Sequence, residues 1–185
     1  MKIAISGSIG SGKSEVCRYL KELGYAVFDC DEENRKLLEE NEDGYLKVKE
    51  VFPDCFDEGK LDKKKLSAIV FSDEEEKKKL EDIMHPLILE KLNDREEDPL
   101  FAEVPLLFEA GWDVCFDHNI LVVSDLDILL LRLEERGLNR EEAIERLNAQ
   151  MPVSEKIKRA DKIIYNNGSL EDLHQLIDQC LNELL

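Results

Sequence analysis

Basic residues are scarce in this chain. Its 185 residues carry 25 Lys and Arg against 43 Asp and Glu, a net charge of −18. That balance excludes a general nucleic-acid binder, because a phosphate backbone needs a basic face. It also excludes docking on an anionic membrane. No apolar run approaches the roughly 20 residues that a membrane-spanning helix needs. Cysteine is thinly spread: Cys17, Cys30, Cys55, Cys115 and Cys180 include no C-x-x-C pair. Zinc and dithiol chemistry are thereby disfavoured, and the expectation is reduced thiols acting as small core hydrophobes in the cytoplasm. The strand-like opening Met1 to Ile5 does not read as a targeting peptide. There are only 5 prolines, and no Pro/Ser-rich linker, repeat or low-complexity tail breaks the chain. One domain over 1–185 is expected, with an inserted lobe.

What is present suits a folded core. Apolar residues make up 43% of the chain, enough to exclude wholesale disorder. Ile3 to Ser6 reads as a short strand, followed by a glycine-rich turn and a helix from about Lys13 to Leu23 that Gly24 ends. A second strand, Tyr25 to Phe28, leads to Asp29-Cys30-Asp31. This strand–turn–helix–strand order opens a parallel α/β sheet. From about 32 to 97 the chain is charged and helical. Ser72 with Glu75 has the spacing of a capping box, and a long helix follows that Pro86 is expected to interrupt. Strands return at Phe101 to Leu107, Asn119 to Val123 and Lys162 to Tyr165. Helices are expected from about Asp125 to Arg136, from an Asn139/Glu142 cap to about Gln150, and after a Ser169 cap.

The strongest functional signal is Gly7-Ser8-Ile9-Gly10-Ser11-Gly12-Lys13-Ser14, which fits G-x-x-x-x-G-K-[ST] at every fixed position. Glycines let backbone N–H groups turn inward around a phosphate chain, and the helix starting near Lys13 points its positive end at the same anion. Lys13 supplies a cation to the β- and γ-phosphates, and the Ser14 hydroxyl a ligand to magnesium. Asp29 and Asp31 follow the second strand at the sheet's ligand edge. Spaced two apart, they share one face of an extended chain. One of them can hold magnesium or accept a proton from an attacking hydroxyl, and Asp31 could equally cap the next helix. Arg132, Arg136, Arg140 and Arg146 cluster among Glu134, Glu135, Glu141, Glu142 and Glu145. They form either surface ion pairs or an arginine-bearing lid over phosphates; beside the P-loop, the lid is favoured. His85-Pro86 reads as a helix break or a ligand contact, Leu106 to Phe108 as core or a site wall, and Glu109 as a residue leaving the sheet at its ligand edge.

Together these pieces resemble the dephospho-coenzyme A kinase family, through nearly the whole chain. The resemblance rests on Gly7 to Ser14, Asp29-Cys30-Asp31 with Arg35, Gly59-Lys60-Leu61-Asp62, His85-Pro86 and Val104 to Glu109. It continues through Arg132, Arg136, Arg140, Gln150, Glu155-Lys156, Ala160-Asp161 and Asn166-Asn167-Gly168. It implies a P-loop nucleoside triphosphate hydrolase fold of five parallel strands, with an inserted helical acceptor lobe (about 32–97) and an arginine-bearing lid (about 132–160). The implied activity is ATP- and Mg2+-dependent phosphorylation of the ribose 3′-hydroxyl of dephospho-coenzyme A, giving coenzyme A and ADP. Asp31 would be the base, with Lys13 and Arg140 stabilising the transferring phosphoryl group. ATP would meet Gly7, Ile9, Gly10, Ser11, Gly12, Lys13, Ser14, Glu15, Arg136, Arg140 and Asn167. The acceptor would meet Asp31, Arg35, His85, Pro86, Leu106, Leu107, Phe108 and Glu109, and magnesium would meet Ser14. The chain departs from the family in carrying Glu15 where Thr is usual, Ser6 and Ser8 for Thr and Gly, and Lys63 where Arg is common. Read from residues alone, an ATP-gated binding protein and a kinase for another acceptor, such as a nucleoside monophosphate, remain open. Only the resemblance names the acceptor.

Overall fold

The structure, a computed structural model, describes all residues from 1 to 185. In chain order it contains β1 (Lys2–Gly7), α1 (Lys13–Glu22), β2 (Ala26–Asp29), α2 (Cys30–Leu37) and α3 (Asp43–Val51). A two-residue hairpin follows, β3 (Phe56–Asp57) and β4 (Lys60–Leu61), then α4 (Lys63–Ser72) and α5 (Glu74–Asn93). The rest is β5 (Leu100–Glu103), β6 (His118–Val123), α6 (Leu126–Glu135), α7 (Arg140–Asn148), α8 (Val153–Arg159), β7 (Lys162–Tyr165) and α9 (Leu170–Leu184). The chain forms two compact units, one of Met1–Phe28 with Glu97–Leu185 and the other of Asp29–Glu96.

The first unit is built on a five-stranded sheet in the order β2-β5-β1-β6-β7. β1 lies in the middle and pairs in parallel with β5 (Ile3 opposite Phe101) and β6 (Ile5 opposite Ile120). Nearly every residue of β1 and β6 is buried, whichever face it points to, as a parallel sheet covered on both sides requires. Ile3, Ile5, Phe101, Ile120, Val122 and Ile164 point one way, into a core closed by Val16 and Leu20 of α1 and Leu173, Ile177 and Leu181 of α9. The expectation that β5 runs to Leu107 is corrected: Val104 N still donates to the Ile5 carbonyl (3.0 Å), but the strand ends at Glu103. Pro105 has no N–H to continue the ladder, and compact turns take over, with Trp112 N on the Leu107 carbonyl at 2.9 Å. The cap expected at Asn139 with Glu142 is a full capping box, and Ser169 makes another with Asp172.

The second unit is helical except for its hairpin. Two boundary expectations change here. Asp73, not Ser72, caps α5, its carboxylate accepting from Glu75 N at 2.8 Å and Glu76 N at 3.3 Å, while the Ser72 hydroxyl turns back to the Ile69 carbonyl. Pro86 does not break α5, which runs unbroken for 20 residues. Proline forfeits one intrahelical bond, but α5 packs against α2, α3 and α4 and buries Met84, Leu87, Ile88 and Leu92. None of the five cysteines forms a disulfide, and Cys115 is exposed; burial pushes the Cys180 thiol up to about 11.

The α9 stripe is the largest single cover on its face of the sheet, so Ile177→Ala is expected to cost about 2–5 kcal/mol in urea unfolding. Val114→Ala, at a side chain 85% exposed, is expected to stay within about 0.5 kcal/mol. Equal midpoints for the two variants would contradict the placement of the core.

Candidate active site

The loop between β1 and α1 is shaped from behind. Its carbonyls are tied to side chains that enter from much later in the sequence. The Ser11 carbonyl accepts from Asn166 Nδ2 at 2.8 Å and lies 3.4 Å from Arg132 Nη1, which also donates to the Gly10 carbonyl at 3.3 Å. Arg132 Nη1 donates to Ser124 Oγ at 3.0 Å, its Nη2 donates to the Asn166 carbonyl at 3.1 Å, and Ser124 Oγ donates to that same carbonyl at 2.7 Å. A peptide whose carbonyl is held on one side presents its N–H on the other. For the Ser11–Gly12 peptide this turns the Gly12 N–H away from Arg132 and Asn166, whereas the Ser11 N–H closes a turn on the Ser8 carbonyl at 3.1 Å. Gly12 shows how tight the fit is: with φ at 100°, an added Cβ would lie 2.2 Å from Asn166 Nδ2.

At the front of the loop, Lys13 Nζ donates to the carbonyls of Gly7 (2.7 Å) and Ser8 (3.0 Å). Ser14, in the first turn of α1, donates its hydroxyl to Glu103 Oε1 at 2.9 Å. Glu103 is the last residue of β5, the strand beside β1. Sequence reading missed this carboxylate; its position at a strand end was the available signal, obscured by drawing the strand four residues too long. Ile9 N donates to Gln150 Oε1 at 2.9 Å. Glu15 is not an isolated negative charge. The Arg18 guanidinium binds it in a short ion pair and holds its carboxyl below the usual carboxylate range, against a smaller opposing push from burial. His174 lies 3.8 Å away on α9, stacked on Tyr19.

The arginines divide. Arg132 is a clamp on the loop backbone, which is neither of the two roles expected for the arginine cluster. Arg136, at the end of α6, is exposed. Arg140 begins α7, is 61% exposed and pairs loosely with Glu134 at 3.4 Å. Asn167 Oδ1 accepts from Asp125 N at 2.9 Å, tying the segment after β7 to the start of α6. In the segment after β5, Leu106 is exposed at 47%, whereas Leu107 and Phe108 are core side chains. Glu109 is paired with Lys156.

In the second unit, Asp29 Oδ1 accepts from Glu32 N at 2.9 Å and caps α2. Asp31 therefore sits in the first helical turn, exposed, with Arg35 one turn on. The shared face of an extended chain expected for Asp29 and Asp31 does not form, because the helix begins at Cys30. His85 and Pro86 lie on α5, against which α2 packs. Burial holds the His85 imidazole below its ordinary value, against Glu81 and Asp82, so it is neutral near pH 7.

A parallel sheet with a P-loop after its central strand, opening onto a lysine, a hydroxyl and a carboxylate, defines a protein of the P-loop nucleoside triphosphate class. Comparison with known proteins narrows the class. The dephospho-CoA kinase family profile matches residues 1–172, and the chain belongs to that family. A dephospho-CoA kinase from Thermus thermophilus is 42% identical over 98% of this chain and 91% of its own length. One from Geobacillus kaustophilus is 41% identical over 93% and 90%. Among solved structures, a Thermus thermophilus protein superposes with a TM-score of 0.86 at 40% identity, covering 100% of this chain and 98% of that one. Dephospho-CoA kinase from Campylobacter jejuni gives 0.73 at 32%, with the same coverage. A shikimate kinase from Acinetobacter baumannii, at 0.60 and 17% over 99% and 92%, shares the fold. The activity is the ATP-dependent phosphorylation of dephospho-CoA in coenzyme A biosynthesis.

The clamp assignment separates two neighbouring arginines. Arg132→Met is expected to destabilise the protein by about 1.5–3 kcal/mol in denaturant unfolding, the range for lost charged hydrogen bonds. Arg136→Met is expected to unfold like the parent. A parental midpoint for Arg132→Met would show that its four contacts do not hold the loop.

Proposed function

We propose that this kinase transfers the γ-phosphoryl group of ATP to the ribose 3′-hydroxyl of dephospho-CoA, with Asp31 as the base. The observation that carries the nucleotide side is the Ser14–Glu103 pair at the positive end of α1, next to a loop whose carbonyls are held behind it. The loop amides of Gly10, Gly12 and Lys13 receive the phosphates, since those of Ile9 and Ser11 are taken by Gln150 Oε1 and the Ser8 carbonyl, and Lys13 moves from the Gly7 and Ser8 carbonyls to the phosphoryl oxygens, which compete with carbonyls for an ammonium. Arg136 and Arg140, both exposed on the lid, add positive charge to the departing phosphate. On the acceptor side, Asp31 takes the hydroxyl proton as the oxygen becomes acidic, and the neutral His85, Arg35, Pro86 and exposed Leu106 bind the nucleotide portion. Leu107 and Phe108 contribute through their backbone, since their side chains are core. Catalysis on this reading is positioning and charge stabilisation.

The donor set fits magnesium. One hydroxyl and one carboxylate, 2.9 Å apart, are hard oxygen ligands, and no cluster of three or more His, Cys, Asp or Glu makes a full protein cage. Mg2+ is the cation that binds through one or two such groups while keeping water and phosphate oxygens. Ser14 and Glu103 would hold it, and when bound it neutralises charge on the β- and γ-phosphates. A location in the cytoplasm accords with five cysteines that form no disulfide, and no helix is long and apolar enough to cross a membrane.

Two measurements test this reading. Asp31→Asn is expected to lower the rate of ADP release with dephospho-CoA on the order of 10²–10⁴-fold, with ATP affinity little changed; turnover near the parental rate would remove Asp31 as base. Arg18→Ala leaves Glu15 uncompensated at the loop, so the KM for ATP is expected to rise about two- to fivefold at low salt. The effect is expected to shrink at high ionic strength and to disappear when Glu15→Thr is added. A salt-independent change, or one that survives Glu15→Thr, would mean that Arg18 acts by another route.

A further inference from the structure

The loop that holds phosphate and the segment assigned to the acceptor share one anchor. Gln150 and Met151 are consecutive residues at the exit of α7. Gln150 Oε1 takes the Ile9 amide of the P-loop at 2.9 Å, and Met151 N donates to Glu109 Oε1 at 3.0 Å. The same Glu109 oxygen lies 2.7 Å from Lys156 Nζ on α8. The Lys156 side chain is completely buried, and that of Glu109 is 21% exposed. The contact is a charge pair off the hydrogen-bonding direction, since the ammonium has no aligned acceptor.

α8 grips the segment a second time. Arg159, three residues after Lys156 and so on the same helical face, donates from Nη1 to the Phe108 carbonyl at 2.9 Å and from Nε to Asp113 Oδ2 at 2.9 Å. Its guanidinium stands 5.4 Å from the centre of the Phe108 ring. An apolar residue at 156 would fill a buried site without desolvating a charge, so the lysine is explained by what it positions rather than by packing alone. The planar peptide joining Gln150 to Met151 fixes the two anchors as neighbours, and the Gln150 side chain completes the link to Ile9. If Glu109 shifts, it must carry Met151 with it or break the bond, and Gln150 holds the P-loop amide next door.

We propose that Glu109, fixed by Lys156, is a positioning residue that couples acceptor binding to ATP binding through Gln150–Met151. This rests on the reading that the segment from Leu106 to Glu109 lies along the acceptor site. Glu109 on this view touches neither substrate; it sets the acceptor segment and the P-loop relative to the end of the lid.

The test is calorimetric and uses the intact chain with magnesium. The Kd of a non-hydrolysable ATP analogue is measured alone and with saturating dephospho-CoA, and the ratio of the two is the coupling factor. The parent is expected to give a factor of about five or more. Gln150→Ala, which leaves the buried pair intact, is expected to bring it close to one. The double variant Glu109→Leu with Lys156→Met, which leaves no lone buried charge, is expected to do the same. Glu109→Gln with Lys156→Met restores an acceptor for Met151 N and is expected to regain coupling. A purely structural role would lower thermal stability in these variants and leave the factor unchanged. A parental factor of one, or a factor indifferent to all three variants, overturns the proposal. Leu106→Ala is the separate check on its premise: dephospho-CoA affinity unchanged by that exposed substitution would show that the acceptor binds elsewhere, and the coupling assignment would fall with it.

Discussion

The nucleotide cradle depends on bonds made behind it. Backbone amides can converge on an anion only if the carbonyls of the same peptides turn away, and a buried carbonyl needs a donor. The Ser11 carbonyl finds donors in Asn166 and Arg132, and the Gly10 carbonyl shares the same guanidinium. Those donors come from the end of β7 and from α6, so the cradle cannot take its shape until the C-terminal half of the sheet has assembled around β1. The parallel order β5-β1-β6-β7 is what brings these segments to the same edge.

A chain this acidic must use its few cations carefully if it is to receive two polyanions. Lys13, Arg132 and Arg159 are all held on backbone carbonyls, which are partial charges that a phosphate can displace or that fix the cation in place. Arg18 has a different task. It lies between Glu15 and Glu22 and offsets the negative charge that Glu15 brings to the start of α1. The exposed arginines, Arg136 and Arg140, stand at the end of α6 and the start of α7.

Local signals were legible in the sequence wherever one short segment carries all the information. The glycine spacing from Gly7 to Ser14 located the cradle and α1, and the caps at Asn139 and Ser169 located α7 and α9. Reading failed by one or two residues where neighbouring polar residues compete for the same cap, as Ser72 with Asp73 and Asp31 with Asp29. Pro86 misled because helix packing outweighed the loss of one backbone bond. What could not be read was partnership at long range. The periodicity of α6 shows that Arg132 and Arg136 are a turn apart; it does not show that one turns under the P-loop. Glu103 with Ser14, and Glu109 with Lys156, are separated by stretches of chain whose path only the fold determines, although Gln150 and Lys156 stood among the residues carrying the family resemblance.

The position of Lys13 has a kinetic meaning. Its ammonium is seated on the Gly7 and Ser8 carbonyls of its own loop. A free lysine carries about 2 kcal/mol of rotamer entropy, and here much of that loss falls on folding and not on the encounter with ATP. On the proposed reading, the arriving phosphate meets a cation that needs to travel only from carbonyl oxygen to phosphoryl oxygen. Capture then resembles a ligand exchange on a prearranged ion more than the recruitment of a mobile arm.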